Sequence, residues 1–247
     1  MLIKAVCMAY NEEFLMPFFL RHYRYLDEIR LVVDADTNDL TREIARQFGN
    51  VVMEEFQFPA GMDDILKRDK LTATARSMQT DWLYVLDADE FIFPPGLEDP
   101  RSFLARQTAN VVVARMWQVF RHITDKPLDP MSEPIVLQRR HGDPNRDSPD
   151  NAQYQKPIVL KLPLDFRMCL GNHDITGTGL VFAEEHFDGA HWAHADPKFV
   201  IERRIKNRRD RQSQRNLQLG LTSQHHHVTE EEIRSILNTN ANRPLVF

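Results

Sequence analysis

Two short stretches gather the side chains most able to do chemistry. In "YVLDADEFIF" an apolar run leads into Asp87, Asp89 and Glu90, three carboxylates within four positions. In "EIRLVVDAD" a second apolar run ends in Asp34 and Asp36. Unpaired charge is costly to bury, so acids attached to buried strands must meet cations or water. Paired carboxylates suit a hard divalent ion, Mg²⁺ or Mn²⁺, which takes oxygen ligands, keeps several waters and binds substrate phosphates. The alternative is that each Asp caps a helix or shapes a turn. For Asp87 and Asp89 together, directly after apolar residues, a site is the better reading.

Other reactive residues lie late in the chain. "GNHD" supplies His173 and Asp174 in a glycine-rich turn, and "HWAHAD" supplies His191, His194 and Asp196. Glu184 and Asp188 are further carboxylates in the same region. Lys67, Arg68 and Lys70 precede the strand that carries Asp87 and could reach a phosphate. The segment 198–215 carries Arg203, Arg204, Lys206, Arg208, Arg209, Arg211 and Arg215. It reads as a solvated helix face, or as a contact for a diphosphate or an anionic membrane surface. His225 to His227 read as an exposed loop.

These residues need elements to hold them. "LIKAVCMAY" is a buried strand, followed by a helix in "NEEFLMPFFLRHYRYLD" with Pro17 in its first turn. "EIRLVVDAD", "VVMEEFQF" and "DWLYVLDADEFIF" are further strands. Helices in "TNDLTREIARQFGN", stopped by Gly49, and in "MDDILKRDKLTATARSMQ" separate them. Strands alternating with helices predict an α/β domain with a largely parallel sheet. In such sheets ligands bind beyond the carboxyl ends of the strands, so both acidic clusters should face one crevice. A short helix in "RSFLARQT" and a strand in "ANVVVARMWQVF" follow. Residues 124–157 are rich in Pro, Asp, Asn and Arg and read as one long loop. "IVLKLP" is a strand, 198–215 a basic helix, and "VTEEEIRSIL" a terminal helix with a capping box from Thr229 to Glu232.

Bulk composition narrows the classes. At 247 residues, 42% hydrophobic and 27% charged, the chain can build one sizeable core. A net charge of −5 gives no general case for binding nucleic acid. Two distant cysteines, with Cys7 in an apolar run, suggest a reducing compartment. No apolar run is long enough to span a bilayer, and the N-terminus lacks the pattern of a signal peptide. A cytoplasmic protein is expected, either free or peripheral at an inner membrane through 198–215.

Three motifs in order resemble the family 2 glycosyltransferases of the GT-A fold. "VCMAYNEE" is similar to the family's first strand and nucleotide loop, "LVVDADTNDLT" to its second strand, and "WLYVLDADEFI" to the strand carrying the DxD metal motif, in a bacterial "DADEF" form. The match covers roughly 2–119. In the second motif Ala35 and Asp36 replace the usual Asp and Gly. The resemblance implies a Rossmann-like, mostly parallel sheet flanked by helices. It implies a nucleotide-sugar-binding core over 1–120, and an acceptor-side region over 121–247 in the same globule, with 124–157 as a flap. Ala9, Tyr10, Asn11 and Glu12 would line the nucleoside pocket, and Asp34 would bind base or ribose. Asp87 and Ala88 would contact the donor, and Asp87 and Asp89 would hold Mn²⁺ or Mg²⁺. His191 or His194 would complete the metal shell, and Trp192 could stack on a sugar. The donor would be a nucleotide-diphosphate sugar, most simply a UDP-sugar. The acceptor would be a glycan, polysaccharide or glycolipid. The family inverts the anomeric centre, which requires a general base on the acceptor side. Asp174 with His173 is the first candidate for it, and Glu184 and Asp188 are the others.

Two rival enzyme or binding patterns break. A haloacid-dehalogenase-type phosphatase would use Asp34 and Asp36, but Asn38 stands where Thr or Val belongs, and Phe91 breaks the second cluster in the same way. A calcium loop would need a glycine at its sixth position and Glu where Ala45 stands. A sugar- or nucleotide-binding module without turnover is the third alternative.

Overall fold

The computed structural model describes residues 1–144, 154–194, 196–221, 223 and 226–246. Residues 145–153 of the expected loop, and His225, lie outside the described residues. The first half of the chain forms β1 (Ile3–Ala9), α1 (Met16–His22), β2 (Glu28–Asp34), α2 (Thr41–Ala45), β3 (Val51–Phe56), α3 (Asp64–Ser77) and β4 (Trp82–Asp87). Then come β5 (Glu90–Phe93), α4 (Pro100–Ala105) and β6 (Val111–Phe120). The second half adds α5 (Ile135–Gln138), β7 (His141–Gly142), β8 (Gln155–Lys161), β9 (Asp165–Met168), β10 (Ile175–Thr178) and β11 (Phe187–His194). It ends with α6 (Pro197–Glu202), α7 (Gln214–Gln218) and α8 (Glu230–Thr239).

The fold is α/β. One sheet runs β3-β2-β1-β4-β8-β6-β11-β5, with β7 paired to β6. The first four strands are parallel. Strand β1 lies between β2 and β4, and its Ala5–Ala9 run is wholly buried, as a parallel strand covered on both faces requires. Beyond β4 the sheet is mixed. Strand β8 runs antiparallel to both β4 and β6, β11 is parallel to β6, and β5 is antiparallel to β11. Strands from both halves of the chain thus share one sheet. Strands β9 and β10 form a separate hairpin. No helix among the described residues is long and apolar enough to cross a membrane.

Several local signals act as expected. Pro17 sits in the first turn of α1. Thr229 and Glu232 form the capping box of α8, and a cap not marked in the sequence is Asp63 on α3, which accepts from the Ile65 and Leu66 amides. Cys7 is a buried free thiol.

Other expectations need correction. The single strand over 81–93 is two strands, β4 and β5, which lie apart in the sheet. Strand β4 ends at Asp87, the chain turns at Ala88–Asp89, and β5 starts at Glu90 and leaves to pair with β11. The long loop is shorter than the span 124–157, because Gln155–Pro157 open β8, while α5 and β7 occupy part of the remainder. The basic helix is broken. Helix α6 runs into a π-helical stretch, Arg203–Arg208, then a 3₁₀ turn, Arg209–Arg211, and only then α7.

Candidate active site

The turn between β4 and β5 is fixed from three sides. The Asp87 amide donates to the Glu90 Oε2 at 2.9 Å, closing the turn on itself. The Tyr23 hydroxyl, on the residue after α1, donates to the Glu90 carbonyl and accepts from the Ile92 amide, both at 2.9 Å. The Trp192 amide donates to the Asp89 carbonyl at 2.8 Å, tying the turn to β11. Strand β11 fits closely between β6 and β5 because residue 189 is glycine. A Cβ there would stand 2.6 Å from the Met116 Cγ.

The buried acids are answered by cations from distant parts of the chain. Asp87 pairs with Lys67 of α3 at 2.8 Å and with Lys156 of β8 at 3.4 Å. Lys156 also pairs with Glu90 at 2.5 Å. Asp89 pairs with the Nη1 of Arg203, the first residue of the π-helical stretch, and with the Nε2 of His191 at 3.3 Å. The Nε of Arg203 donates to the Glu12 Oε1 at 3.1 Å. Asp87, Asp89, Glu90, Glu12, Lys156 and Arg203 are all buried. Burial alone would raise the carboxyl groups. In Asp87 the ammonium groups of Lys67 and Lys156 outweigh it and hold the carboxyl well below the usual range. In Asp89 the Arg203 guanidinium and His191 do the same. In Glu12 burial wins over Arg203, and its carboxyl is raised to about 7.

A cleft of about 660 Å³ opens over this network. Lys67, Asp87, Asp89, His173, His191 and Arg203 are among its walls. A second, much smaller cleft of about 50 Å³ adjoins it, lined by Ala9, Tyr10, Glu12, Asp34 and Arg211 among others. Lys67, Asp87, Arg203 and Arg208 line both. In the smaller cleft the Arg211 guanidinium lies 3.4 Å from the Tyr10 ring centroid and donates to the Asp34 Oδ2 at 2.8 Å. The other Asp34 oxygen accepts from the Asp36 amide at 3.0 Å. The two acidic clusters do face one crevice, and Asp36 sits at its edge, 3.5 Å from Arg211.

Not every expected residue arrives. Asn11 turns away from the smaller cleft to exchange hydrogen bonds with Asn38. Ala88 is buried in the turn and lines neither cleft. Trp192 is fully buried against Phe18 and Phe91, so its ring has no face for a sugar. His173 lines the larger cleft, folded over Gly171, whose φ of +67° and missing Cβ leave room for the ring. Asp174 is exposed and accepts from the Ile175 amide beside it, outside both clefts. Glu184 and Asp188 also lie outside both clefts. Lys70 is committed to Glu54 and the face of Phe56. Lys156 is the member of this ion-pair network that the sequence hides most completely, because it sits at the end of a polar, proline-rich span with the composition of a loop.

The expected divalent metal shell of Asp87, Asp89, His191 and His194 does not form. Among the described residues no three His, Cys, Asp or Glu side chains converge as a metal-binding group. Both Asp87 oxygens face ammonium groups, and the Asp89 Oδ2 faces a guanidinium and an imidazole. The Asp89 Oδ1 is buried without a partner, leaving one carboxylate oxygen of this pair uncommitted. His194 stacks on Phe120 with its Nδ1 buried and unpartnered, and burial, reinforced by Arg204 nearby, pushes its pKa down to about 3. This donor set does not fit a hard dication, which needs several free oxygens.

No family model matches the chain, and no curated protein does. Among solved structures it is similar to residues 1–349 of S. aureus TarS, at 11% identity and a TM-score of 0.44, over 96% of this chain and 69% of that one. The same region in complex with UDP gives 10% and 0.44, over 98% and 89%. A glucosyl-3-phosphoglycerate synthase from Mycobacterium tuberculosis, in complex with Mn²⁺, UDP and phosphoglyceric acid, gives 15% and 0.32 over 47% and 43%. Similarities of this size do not identify the chain with any of these proteins.

Proposed function

We propose that the chain is a glycosyltransferase that moves a sugar from a nucleoside-diphosphate donor to an acceptor hydroxyl. One observation carries this reading. A small cleft lined by Tyr10 and Asp34 shares four wall residues with a larger, cation-rich cleft. A nucleoside beside a diphosphate and then a sugar needs this sequence of environments. The motif resemblance of "YNE" and "DADEF" makes UDP the proposed nucleotide. The rival phosphatase reading lacks support, because Asn38 and Phe91 stand where its motif needs Thr or Val.

In this mechanism Asp34 accepts from the ribose and Tyr10 lies against the base. The acceptor hydroxyl attacks the anomeric carbon as the bond to the diphosphate oxygen breaks. The developing negative charge meets Lys67, Arg203 and Arg208, which lie in both clefts. Fixed charges in a partly dry site stabilise such a transition state without reorganising. His173 is the proposed acceptor of the hydroxyl proton, since of the two residues in the "HD" pair it is the one on the cleft wall. The inward turn of Arg203, Arg204 and Arg208 supports a diphosphate role for the basic segment over a membrane role. The sugar acceptor is proposed only as a glycan or glycolipid hydroxyl.

The test is calorimetric titration with UDP, GDP and CDP, followed by transfer or slow hydrolysis of the matching nucleotide sugars. Binding of one nucleotide and turnover of its sugar are expected. Tight binding without turnover would select a binding module, and no binding would overturn the reading.

A further inference from the structure

We propose that Arg203, with Lys67 and Lys156, takes the place of a divalent cation, so that this site binds a nucleoside diphosphate without metal. The inference rests on the glycosyltransferase reading and deepens it. Its ground is what already surrounds the two acids. Where a cation would sit on Asp89, a guanidinium sits instead, itself buried and fastened at a second point to Glu12. It packs under Phe199, 5.6 Å from the ring centroid. Lys67 and Lys156 claim the two oxygens of Asp87. A dication entering here would face three fixed positive charges at contact range.

The charge of the cleft agrees. Lys67, Arg68, Lys156, Arg203, Arg204 and Arg208 line it against Asp64, Asp87 and Asp89, six cationic groups to three carboxylates. Glu90 and Glu12 beneath the walls offset Lys156 and Arg203, so the excess that a diphosphate would meet is carried by Arg204 and Arg208. Arg204 adds a second sign of readiness, because its Nε is buried without a partner while the residue lines the cleft. A guanidinium offers planar paired donors that match phosphoryl oxygens, as a metal-bridged diphosphate also requires. The π-helical stretch makes the arrangement. It begins at Arg203 and brings Arg203, Asn207, Arg208 and then Arg211 to the smaller cleft. Such π insertions are frequent at functional sites.

The acids keep a role in this scheme. Asp89 and Glu12 orient Arg203, and Asp87 orients Lys67, so these carboxylates act as positioning residues for the cations.

The experiment titrates UDP into the whole protein by calorimetry, once in EDTA and once in Mn²⁺. Arg203→Gln is measured in the same two buffers, after circular dichroism has shown its fold. Expected are wild-type affinities within about threefold of each other, and a loss of at least about tenfold in Arg203→Gln in EDTA, the value of a lost charge-assisted contact. Wild-type binding that falls more than about tenfold in EDTA would overturn the inference while leaving the glycosyltransferase reading intact. Undiminished binding by a folded Arg203→Gln in EDTA would also overturn it. No binding of UDP, GDP or CDP in either buffer would remove the parent reading and the inference together. Should Arg203→Gln fail to fold, the comparison of buffers on the wild type decides alone. A direct check is the electron paramagnetic resonance signal of Mn²⁺ mixed with the protein and UDP. A spectrum that stays that of Mn²⁺ with UDP alone supports the inference, and a protein-bound signal overturns it.

Discussion

Glu12 is buried beside Arg203, and burial raises its carboxyl from 4.5 to about 7 even though the guanidinium pulls the other way. The folded protein therefore holds this proton more tightly than the unfolded chain does. The stability it contributes is fully present below about pH 4.5 and is lost as pH rises through about 7. The loss amounts to about 3 kcal/mol, since each tenfold gain in proton affinity is worth about 1.4 kcal/mol. Two histidines act in the opposite direction. Burial lowers His22 to about 4 and His194 to about 3, so stability from their neutral rings is present above 6.5 and lost as pH falls. Asp87 and Asp89, held low by their cations, also lose stability on acidification, but only below 3.8. The wild-type profile mixes these trends, and the difference from Glu12→Gln isolates one of them. Urea midpoints from pH 4 to 8 should show the variant gaining on the wild type as pH rises. A difference that stays constant with pH would mean that folding leaves the Glu12 carboxyl at its ordinary pKa.

At the scale of elements, the strand signals are legible because continuous apolar runs mark strands covered on both faces, as in β1 and β4. The cap of α8 is equally legible, since a cap is settled between one side chain and the amides next to it. The acids of the site are visible for the same reason: they interrupt those runs. Their partners are not. Arg203 meets Glu12 across 191 positions and Asp89 across 114, and Arg211 meets Asp34 across 177. Such pairs are set by sheet order and by the π-helical stretch, neither of which leaves a periodic trace. The 3₁₀ turn that follows delivers Arg211 onto Tyr10, where it fills the face that a base would use. The remaining volume of about 50 Å³ is too small for a nucleoside, so the 3₁₀ turn Arg209–Arg211 must give way on binding. Arg211→Ala should thus tighten UDP binding by roughly three- to tenfold, the scale of a cation–π contact of about 0.5–1 kcal/mol together with a partly exposed ion pair. It should also lower the stability of the free protein, because Asp34 loses its cation. Weaker UDP binding in this variant would show instead that Arg211 clamps the base from above.

Over the whole molecule the charge is divided against itself. The chain carries a net −5, yet the larger cleft has twice as many cationic as carboxylate walls. A positive cleft in a negative body focuses its field at the opening, where it concentrates anions and repels cations. The buried pairs and the open cations should respond differently to salt. Pairs such as Arg203 with Asp89 and Lys156 with Glu90 are out of solvent and are screened little, whereas Arg68, Arg204 and Arg208 meet an entering ligand partly through water. Raising NaCl from about 50 to about 500 mM shortens the Debye length to a few ångströms, within the width of the cleft. The affinity for UDP should then fall by roughly tenfold, while the urea midpoint of the free protein changes little. Isothermal titration and denaturation in the same two buffers separate the two effects. An affinity indifferent to salt would mean that Asp64, Asp87 and Asp89 already neutralise the cleft, and that the nucleotide is held by contacts to base and ribose. A fall in stability matching the fall in affinity would mean that salt loosens the ion-pair network itself, so that the positive cleft depends on the folding of the segment that supplies its arginines.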